Sequence, residues 1–283
     1  MADLWTLPFE EFPELLREIP DAPRSLYIRG ALPPPGHKLL AVVGSRRMTS
    51  YGRQVCEHLV SGLAGYPLSI VSGLALGIDG CAHQAALNSG LHTMVVTGSG
   101  LNDDVLYPRA HRRLAKDILK ANGALISEEV PDFVARIESF PKRNRIMAGM
   151  CHATLVIEAT GKSGTLITAR LATDYNRDVL TVPGSIFSEN SEGPLLLLKL
   201  GATPVKSAAD VLEALGFEKD EVRQAMLFTP EEERVMKALV EPMPRDELLR
   251  ALKLTAAEGN ALLLSMELKG MVTEKIGLVR KNG

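Results

Sequence analysis

The residues best suited to chemistry form a short basic segment in the middle of the chain, with the letters FPKRNR. It places three cations and an amide beside an aromatic ring: Phe140, Lys142, Arg143, Asn144 and Arg145. Cations neutralise phosphates, and an aromatic ring can stack on a base. These residue types therefore indicate contact with a nucleic acid strand. The alternative is a solvated basic turn that precedes an apolar helical stretch, Ile146–Met150.

Loops rich in small residues follow several apolar runs of the chain. Glycine lets a backbone approach a ligand closely, and free amides at helix starts attract anions. Any one loop could be a simple strand-to-helix turn, but four on one sheet edge predict a phosphate-binding edge. Arg46, Arg47 and Arg109 would add positive charge there. The candidate loop residues are Gly44, Ser45, Arg46, Arg47, Gly73, Arg109, Ser163, Gly164 and Thr165, together with the segment Gly98-Ser99-Gly100.

Complete motifs for nucleotide cofactors, catalysis or metals are missing from this pattern. The run from Gly98 meets Asp103 where a dinucleotide fingerprint needs a small residue. Val156 stands where a P-loop needs its first glycine. Asp79 and His83 are four residues apart, but helix capping and a structural hydrogen bond explain them better than catalysis. We therefore expect a protein without cofactor, metal or catalytic residues.

The elements that must position these residues alternate between strands and helices. Short apolar runs predict buried parallel strands at Leu39–Val43, Leu68–Val71, Thr93–Thr97, Ala124–Ile126, Thr154–Ile157 and Val179–Val182, with a shorter strand at Leu26–Ile28. Helical segments lie between most of them, at Tyr51–Ala64, Ile78–Asn88, Arg109–Ala121 and Leu166–Tyr175, and a last helix is expected around Leu195–Leu200. This alternation predicts an α/β fold with a doubly wound, mostly parallel, Rossmann-like sheet.

The chain divides into four predicted parts: a lead-in over 1–38, the sheet domain over 39–215, a linker over 216–228 and a small domain over 229–283. In the last part, the letters TPEE from Thr229 and TAAE from Thr255 fit the capping box of two helix starts. A further short helix is expected at Asp246–Leu252, and Gly270 can end the third helix. Met271–Glu274 and Ile276–Arg280 then predict a hairpin, which completes a winged-helix pattern.

Net charge, cysteine content and hydropathy limit the expected location of the protein and the way in which it could bind a polyanion. The 283 residues carry a formal net charge of −2, so any positive charge for nucleic acid must be concentrated locally. The three cysteines form no CxxC pair, which indicates buried free thiols in a reducing compartment. The sequence shows no signal peptide and no apolar run long enough to span a bilayer. We expect a cytoplasmic protein without a membrane partner.

Taken together, these segments resemble the DNA-processing protein A (Smf) family. The matching segments are AVVGSRRMTSYG, VSGLALGIDGCAH, GSGLNDDVLYPR, FPKRNRIMAG, SGTLITARLA and VPG, in family order across roughly residues 24–206. The resemblance implies an extended Rossmann-like domain that binds single-stranded DNA in natural transformation and recombination. It also implies a homodimer, delivery of the strand to the RecA recombinase, and no enzymatic reaction.

Carried over by motif, the resemblance assigns strand binding to the GSRR, SGL, YPR, FPKRNR and SGT segments. One departure bears on affinity, because Leu76 stands where the family has an arginine. An enzyme of the nucleoside-monophosphate phosphoribohydrolase type is the second hypothesis, since its fold is similar. Those enzymes carry a PGGxGTxxE motif, whereas this chain has Thr168 where the acid is expected.

Overall fold

The computed structural model describes residues 4–217, 230–239, 242–252, 254–268, 272–275 and 277–281. The chain divides into two compact units, residues 1–225 and 226–283. The predicted linker falls mostly on residues 218–228, which lie outside the described residues, as do Thr229, Gly270, Met271 and Ile276.

The first unit is built on a nine-stranded sheet with the order β1-β2-β6-β5-β4-β3-β7-β8-β9. Strands β3 to β9 run parallel, while β1 and β2 extend the edge beside β6 in antiparallel pairing. The strands are β1 (Leu4–Pro8), β2 (Ser25–Gly30), β3 (Lys38–Val43), β4 (Leu68–Ser72), β5 (His92–Val96), β6 (Ala124–Ser127), β7 (Ala153–Val156), β8 (Asp178–Thr181) and β9 (Thr203–Pro204). The predicted mostly parallel Rossmann-like sheet is confirmed.

Helices cover both faces of this sheet because successive strand residues point to opposite sides. In β3, Leu40 and Val42 join one apolar core, whereas Leu39, Ala41 and Val43 join the other. The helices are α1 (Glu14–Arg17), α2 (Ser50–Ser61), α3 (Ile78–Asn88), α4 (Arg112–Lys120), α5 (Ser139–Met150), α6 (Thr165–Asp174), α7 (Glu192–Lys199) and α8 (Ala208–Ala214). Residues of α2, α3 and α8 pack in the first core, and those of α1, α5, α6 and α7 in the second.

Two features differ from the sequence-based expectations. The segment expected as a lead-in with one short strand supplies a second strand, β1, as well as the predicted β2, and Leu7, Phe12 and Leu16 are buried in its core. The segment FPKRNR was expected before a helix, but it lies within α5, which begins at Ser139. Pro141 does not stop this helix because it occupies the first turn, where backbone N–H groups have no partner within the helix.

Within its described residues, the second unit has three helices and a small three-stranded sheet, as expected for a winged helix. These are α9 (Pro230–Ala238), α10 (Arg245–Leu252), α11 (Ala256–Leu268), β10 (Met243–Pro244), β11 (Val272–Lys275) and β12 (Leu278–Lys281), with the strand order β10-β12-β11. The predicted capping box of α11 is present, because Glu258 N donates to Thr255 Oγ1 at 3.3 Å and Thr255 N donates to Glu258 Oε2 at 3.0 Å. Its own apolar core includes Val235, Leu248 and Met266.

Candidate nucleic-acid interface

A groove opens where the strand order of the sheet reverses. From β3 the chain proceeds through β4, β5 and β6 on one side and later through β7, β8 and β9 on the other. The loops that leave β3 and β7 therefore diverge at the carboxyl ends of these strands, where open α/β sheets bind ligands. The groove between them has a volume of about 930 Å³.

Most of the sequence-predicted residues meet in this groove. Its lining contains Gly44, Ser45, Arg46, Arg47, Phe140, Arg143, Asn144, Ser163, Gly164 and Thr165. Gly73 and Leu76 line a small adjoining cavity that also contacts Phe140 and Arg143. Arg109, Lys142 and Arg145 are not among the lining residues of either cavity.

The helical geometry of α5 explains why the basic segment divides. Residues three and four apart share a helix face, so the consecutive residues of FPKRNR cannot all face the groove. Lys142 Nζ lies 3.0 Å from Glu129 Oε1 and 3.3 Å from Glu128 Oε2. The hydrogen bond to Glu129 raises the pKa of Lys142. Glu128 and Glu129 thus already neutralise this cation.

Arg145 is likewise part of an internal ion-pair network. Its Nη2 lies 2.7 Å from Glu128 Oε1 and 2.8 Å from Glu128 Oε2, and its Nε lies 3.4 Å from Asp21 Oδ2. The residue is 9% exposed. Arg145 therefore stabilises the packing of α5 against its neighbours rather than presenting charge to the groove.

Arg143 lies at the base of the groove, where it is buried against β5. Its guanidinium donates to the Val96 carbonyl and fills the space beside Gly73, where any Cβ would collide with it. Burial lowers the pKa of Arg143 to about 10, which leaves it protonated at neutral pH. Burial also raises the pKa of Asp79 nearby, an effect that the charge of Arg143 opposes. Gly73 thus makes room for a cation, and its backbone amide donates to Asp79.

Two aromatic rings, the half-buried Phe140 and the exposed Tyr107, line the groove beside Arg46. The ring centroids of Phe140 and Tyr107 lie 5.5 Å apart with an interplanar angle of 50°. The Arg46 guanidinium lies over the Phe140 ring at 5.5 Å from its centroid. Arg46 and Arg47 are exposed, and neither has an ion-pair partner within the part of the chain that the structure describes. Free positive charge is therefore present beside the half-buried Phe140 ring and the exposed Tyr107 ring.

Buried hydrogen bonds hold the segment Gly44–Arg47 in position. The Ser45 amide donates to the Glu158 carbonyl at 2.7 Å, and the Glu158 carboxylate accepts from the Thr49 amide at 2.9 Å. Ile78 N donates to the Ser45 carbonyl at 3.1 Å. Thr49 also caps α2 by accepting from Gly52 N. The buried carboxylate of Glu158 is thus a structural clamp, a role that its sequence position after β7 did not reveal.

The loop 160–165 is less open to anions than its glycines indicated. Gly161 N already donates to Glu192 Oε2 at 3.0 Å, and Thr165 N donates to Ser163 Oγ at 3.2 Å. A Cβ on Gly164 would meet nothing within 4 Å, so this backbone is accessible. Ser163 N also donates to the Thr160 carbonyl at 3.0 Å, so three amides of this loop already have partners within the protein.

Asp79 and His83, the pair weighed for acid–base chemistry, both have structural partners. His83 Nδ1 bonds with Thr93 Oγ1 at 2.7 Å, while Asp79 accepts from backbone amides, so the two residues are not a catalytic pair. No group of three or more metal-ligating side chains occurs among the described residues. Within those same ranges, no helix is long and apolar enough to cross a membrane.

Comparisons with known proteins agree with the fold and with the motifs of the groove. Residues 3–216 match the family model of DNA recombination-mediator protein A, and residues 223–277 match the DprA winged helix domain. Protein Smf of Escherichia coli is 42% identical over 208 residues, which cover 74% of this chain and 55% of that protein. DNA processing protein DprA of Streptococcus pneumoniae is 43% identical over 206 residues, or 73% of this chain and 72% of that protein.

Solved structures lead to the same family. The crystal structure of DprA from Streptococcus pneumoniae superposes with a TM-score of 0.70 at 40% identity, over 75% of this chain and 74% of that one. DNA processing protein A from Helicobacter pylori, described for its single-stranded DNA binding mode, gives a TM-score of 0.66 at 29% identity over 76% of this chain and 98% of that one. The chain therefore belongs to the DNA recombination-mediator protein A family, also called DprA or Smf, and its second unit is the winged helix domain of that family.

Proposed function

We propose that this protein binds single-stranded DNA in the groove at the strand-order reversal, without transforming it chemically. The observation that carries the proposal is the position of Arg46 over the Phe140 ring. This arrangement places an unpaired cation, which can neutralise a phosphate, beside two aromatic rings, of which Tyr107 is exposed and can stack a base. The single-strand binding of the Helicobacter pylori relative supports the same assignment.

A comparison of single-stranded and duplex DNA across a salt series tests this proposal. Single strands expose base faces for Phe140 and Tyr107, whereas a duplex keeps its bases stacked inside. We therefore expect clearly tighter binding of single strands, with little preference among sequences because the contacts are cations, amides and rings. Equal binding of both forms at every salt concentration would contradict the role of the rings.

The alternative of a phosphoribohydrolase has no specific support in the groove. Thr168 lines the groove where such an enzyme would need an acidic residue. The hydroxyl of Ser45 accepts a hydrogen bond from Arg47 N rather than contacting a general base. Incubation with nucleoside monophosphates tests this directly. Release of free base at a rate that falls when Thr165 is replaced would favour the enzyme.

Delivery of the strand to the RecA recombinase and homodimerisation extend the proposal. With a net charge of −2 and only a few cations at the groove, one copy offers few phosphate contacts. Two linked grooves would raise avidity by about 10²–10⁴. Sedimentation of the 30.6 kDa chain should therefore show a dimer. A second test is RecA filament formation on strands already covered by a single-strand binding protein, which this chain should accelerate.

A cytoplasmic location completes the proposed function. Cys56, Cys81 and Cys151 are all free and buried, a state that fits a reducing compartment. Fractionation of cells that express the full chain should recover it with cytoplasmic markers. Recovery in the periplasm or in a membrane fraction would contradict this proposal.

A further inference from the structure

Phe187 is the most exposed large apolar side chain of the described residues. It is 92% exposed, and its neighbour Ile186 is 75% exposed. A phenylalanine ring in water forgoes the stabilisation that burial would give it. Nearly complete exposure of two consecutive apolar side chains therefore indicates a surface that another molecule covers.

Phe187 lies in a turn whose backbone is hydrogen-bonded on both sides of it. Phe187 N donates to Ser185 Oγ at 3.2 Å, and Ser188 N donates to the Ser185 carbonyl at 3.1 Å. Two residues later, the Asn190 carbonyl accepts from Ala159 N at 2.8 Å. The ring thus projects from an ordered turn whose ends are attached to the core.

This turn borders the proposed strand-binding groove. Ser188, Glu189 and Asn190, which follow Phe187 directly, line the groove. Asn190 Nδ2 donates to the Arg47 carbonyl at 3.2 Å, which connects the turn to the cationic segment. The Phe187 loop and the arginines are therefore parts of one surface.

A further exposed apolar side chain lines the groove from another element. Ile137, which precedes α5, is 85% exposed and belongs to the groove lining together with Ile167, which is 44% exposed. The groove thus combines free cations with apolar side chains that face solvent. A single-stranded nucleic acid has the matching composition, since its phosphates are anionic and its bases present apolar faces.

We propose that Phe187 stacks on a base of the bound strand, next to the phosphates that Arg46 and Arg47 contact, and that Ile137 contacts bases within the same groove. This inference deepens the proposed single-strand binding and rests on it. Stacking on an aromatic ring tolerates every base, because each has a π-face. Phe187 would then help to select single strands over duplexes without selecting a sequence.

The test compares two strands of equal length: a thymidine homopolymer, and a strand of abasic sugar-phosphate units that keeps the charge but lacks bases. Phe187→Ala should weaken binding of the homopolymer about 5- to 160-fold and leave binding of the abasic strand unchanged. Its salt dependence should stay that of the parent, because no ionic contact is lost. Phe187→Tyr should bind like the parent, and Phe187→Leu like the alanine variant. Because the ring is exposed, these variants should keep the parent's melting temperature.

Several results would overturn this inference. Parent-like binding of the homopolymer by Phe187→Ala would show that the ring contacts no base, while single-strand binding itself would stand. An equal loss on both strands would show that the variant alters the groove rather than a stacking contact. A lower molecular mass of Phe187→Ala in sedimentation, with no selective loss of binding to the homopolymer, would show that a second copy of the chain covers Phe187. If the parent binds neither strand, the proposed function fails as well.

Discussion

Replacement of Arg46 by alanine gives the most direct test of the groove. Arg46 is exposed, has no ion-pair partner among the described residues, and lies 5.5 Å from the Phe140 ring centroid. The change therefore removes one free cation without leaving a buried partner unpaired. The structure thus predicts weaker DNA binding without a change in thermal stability.

The magnitude follows from counterion release. For a single strand, each neutralised phosphate contributes about 0.7 to the slope of log affinity against log salt. Loss of Arg46 should flatten the slope by about 0.7, so a fourfold rise in salt weakens the parent about 2.6-fold more than the variant. At low salt, the lost exposed contact is worth about 1 kcal/mol, or roughly fivefold in affinity.

Three controls make the assay, fluorescence anisotropy with a labelled single strand, specific. Arg46→Lys keeps the charge and should keep the slope. Arg113→Ala removes a cation that is 95% exposed on α4 and should leave the slope unchanged. Lys142→Ala should also change it little, because Glu128 and Glu129 already pair with this cation.

The reasoning fails on either of two results. A parent-like slope for Arg46→Ala would show that this arginine contacts no phosphate. If Lys142→Ala flattens the slope as much as Arg46→Ala, bound DNA must draw Lys142 away from Glu128 and Glu129. The ion pairs of the free protein would then not predict which cations contact DNA.

Three further predictions concern stability. Gly77 has φ +81°, and a Cβ there would collide with the Ser45 carbonyl, so Gly77→Ala should lower the free energy of unfolding by about 2 kcal/mol or more. Gly36 has φ +83° but nothing within 4 Å of an added Cβ, so Gly36→Ala should lower it by only about 1 kcal/mol. Chemical denaturation measures both changes. Burial lowers the pKa of His83 to about 3. Between pH 6.5 and 3 the unfolded chain binds a proton at this residue that the folded chain does not, so the free energy of unfolding should fall as the pH drops through this range. His83→Gln should reduce that fall, which denaturation at several pH values measures. A chain ending at Phe217 should stay folded and bind single strands, since the first unit has its own cores; an insoluble product would contradict this.

The strands were predictable because their burial leaves a simple signal. Strands covered on both faces must be apolar throughout, and β3 to β8 each lie within one residue of the predicted bounds at either end. The edge strand β1 gave no such signal, since Leu4, Trp5 and Thr6 are exposed and only Leu7 is buried. Its pairing with β2 depends on tertiary contact rather than on local pattern.

The orientation of the basic side chains depended on where α5 begins. The local signal of Pro141 and a polar run favoured a loop before Ile146. The helix instead includes these residues, because proline is tolerated in a first turn. That shift directs Arg143 and Asn144 to the groove and leaves Lys142 beside Glu128 and Glu129.

By itself, the sequence determined the fold class, the winged-helix pattern and the residue types that collect at the carboxyl ends of the strands, because periodicity and glycine placement are local properties. Only the tertiary structure decided which cations are free. Arg46 and Lys142 each precede another cation in the sequence. Glu129 and Glu128 nevertheless pair with Lys142 from another segment of the chain. Such pairing arises between residues distant in sequence, so it becomes visible only when the sheet brings their segments together.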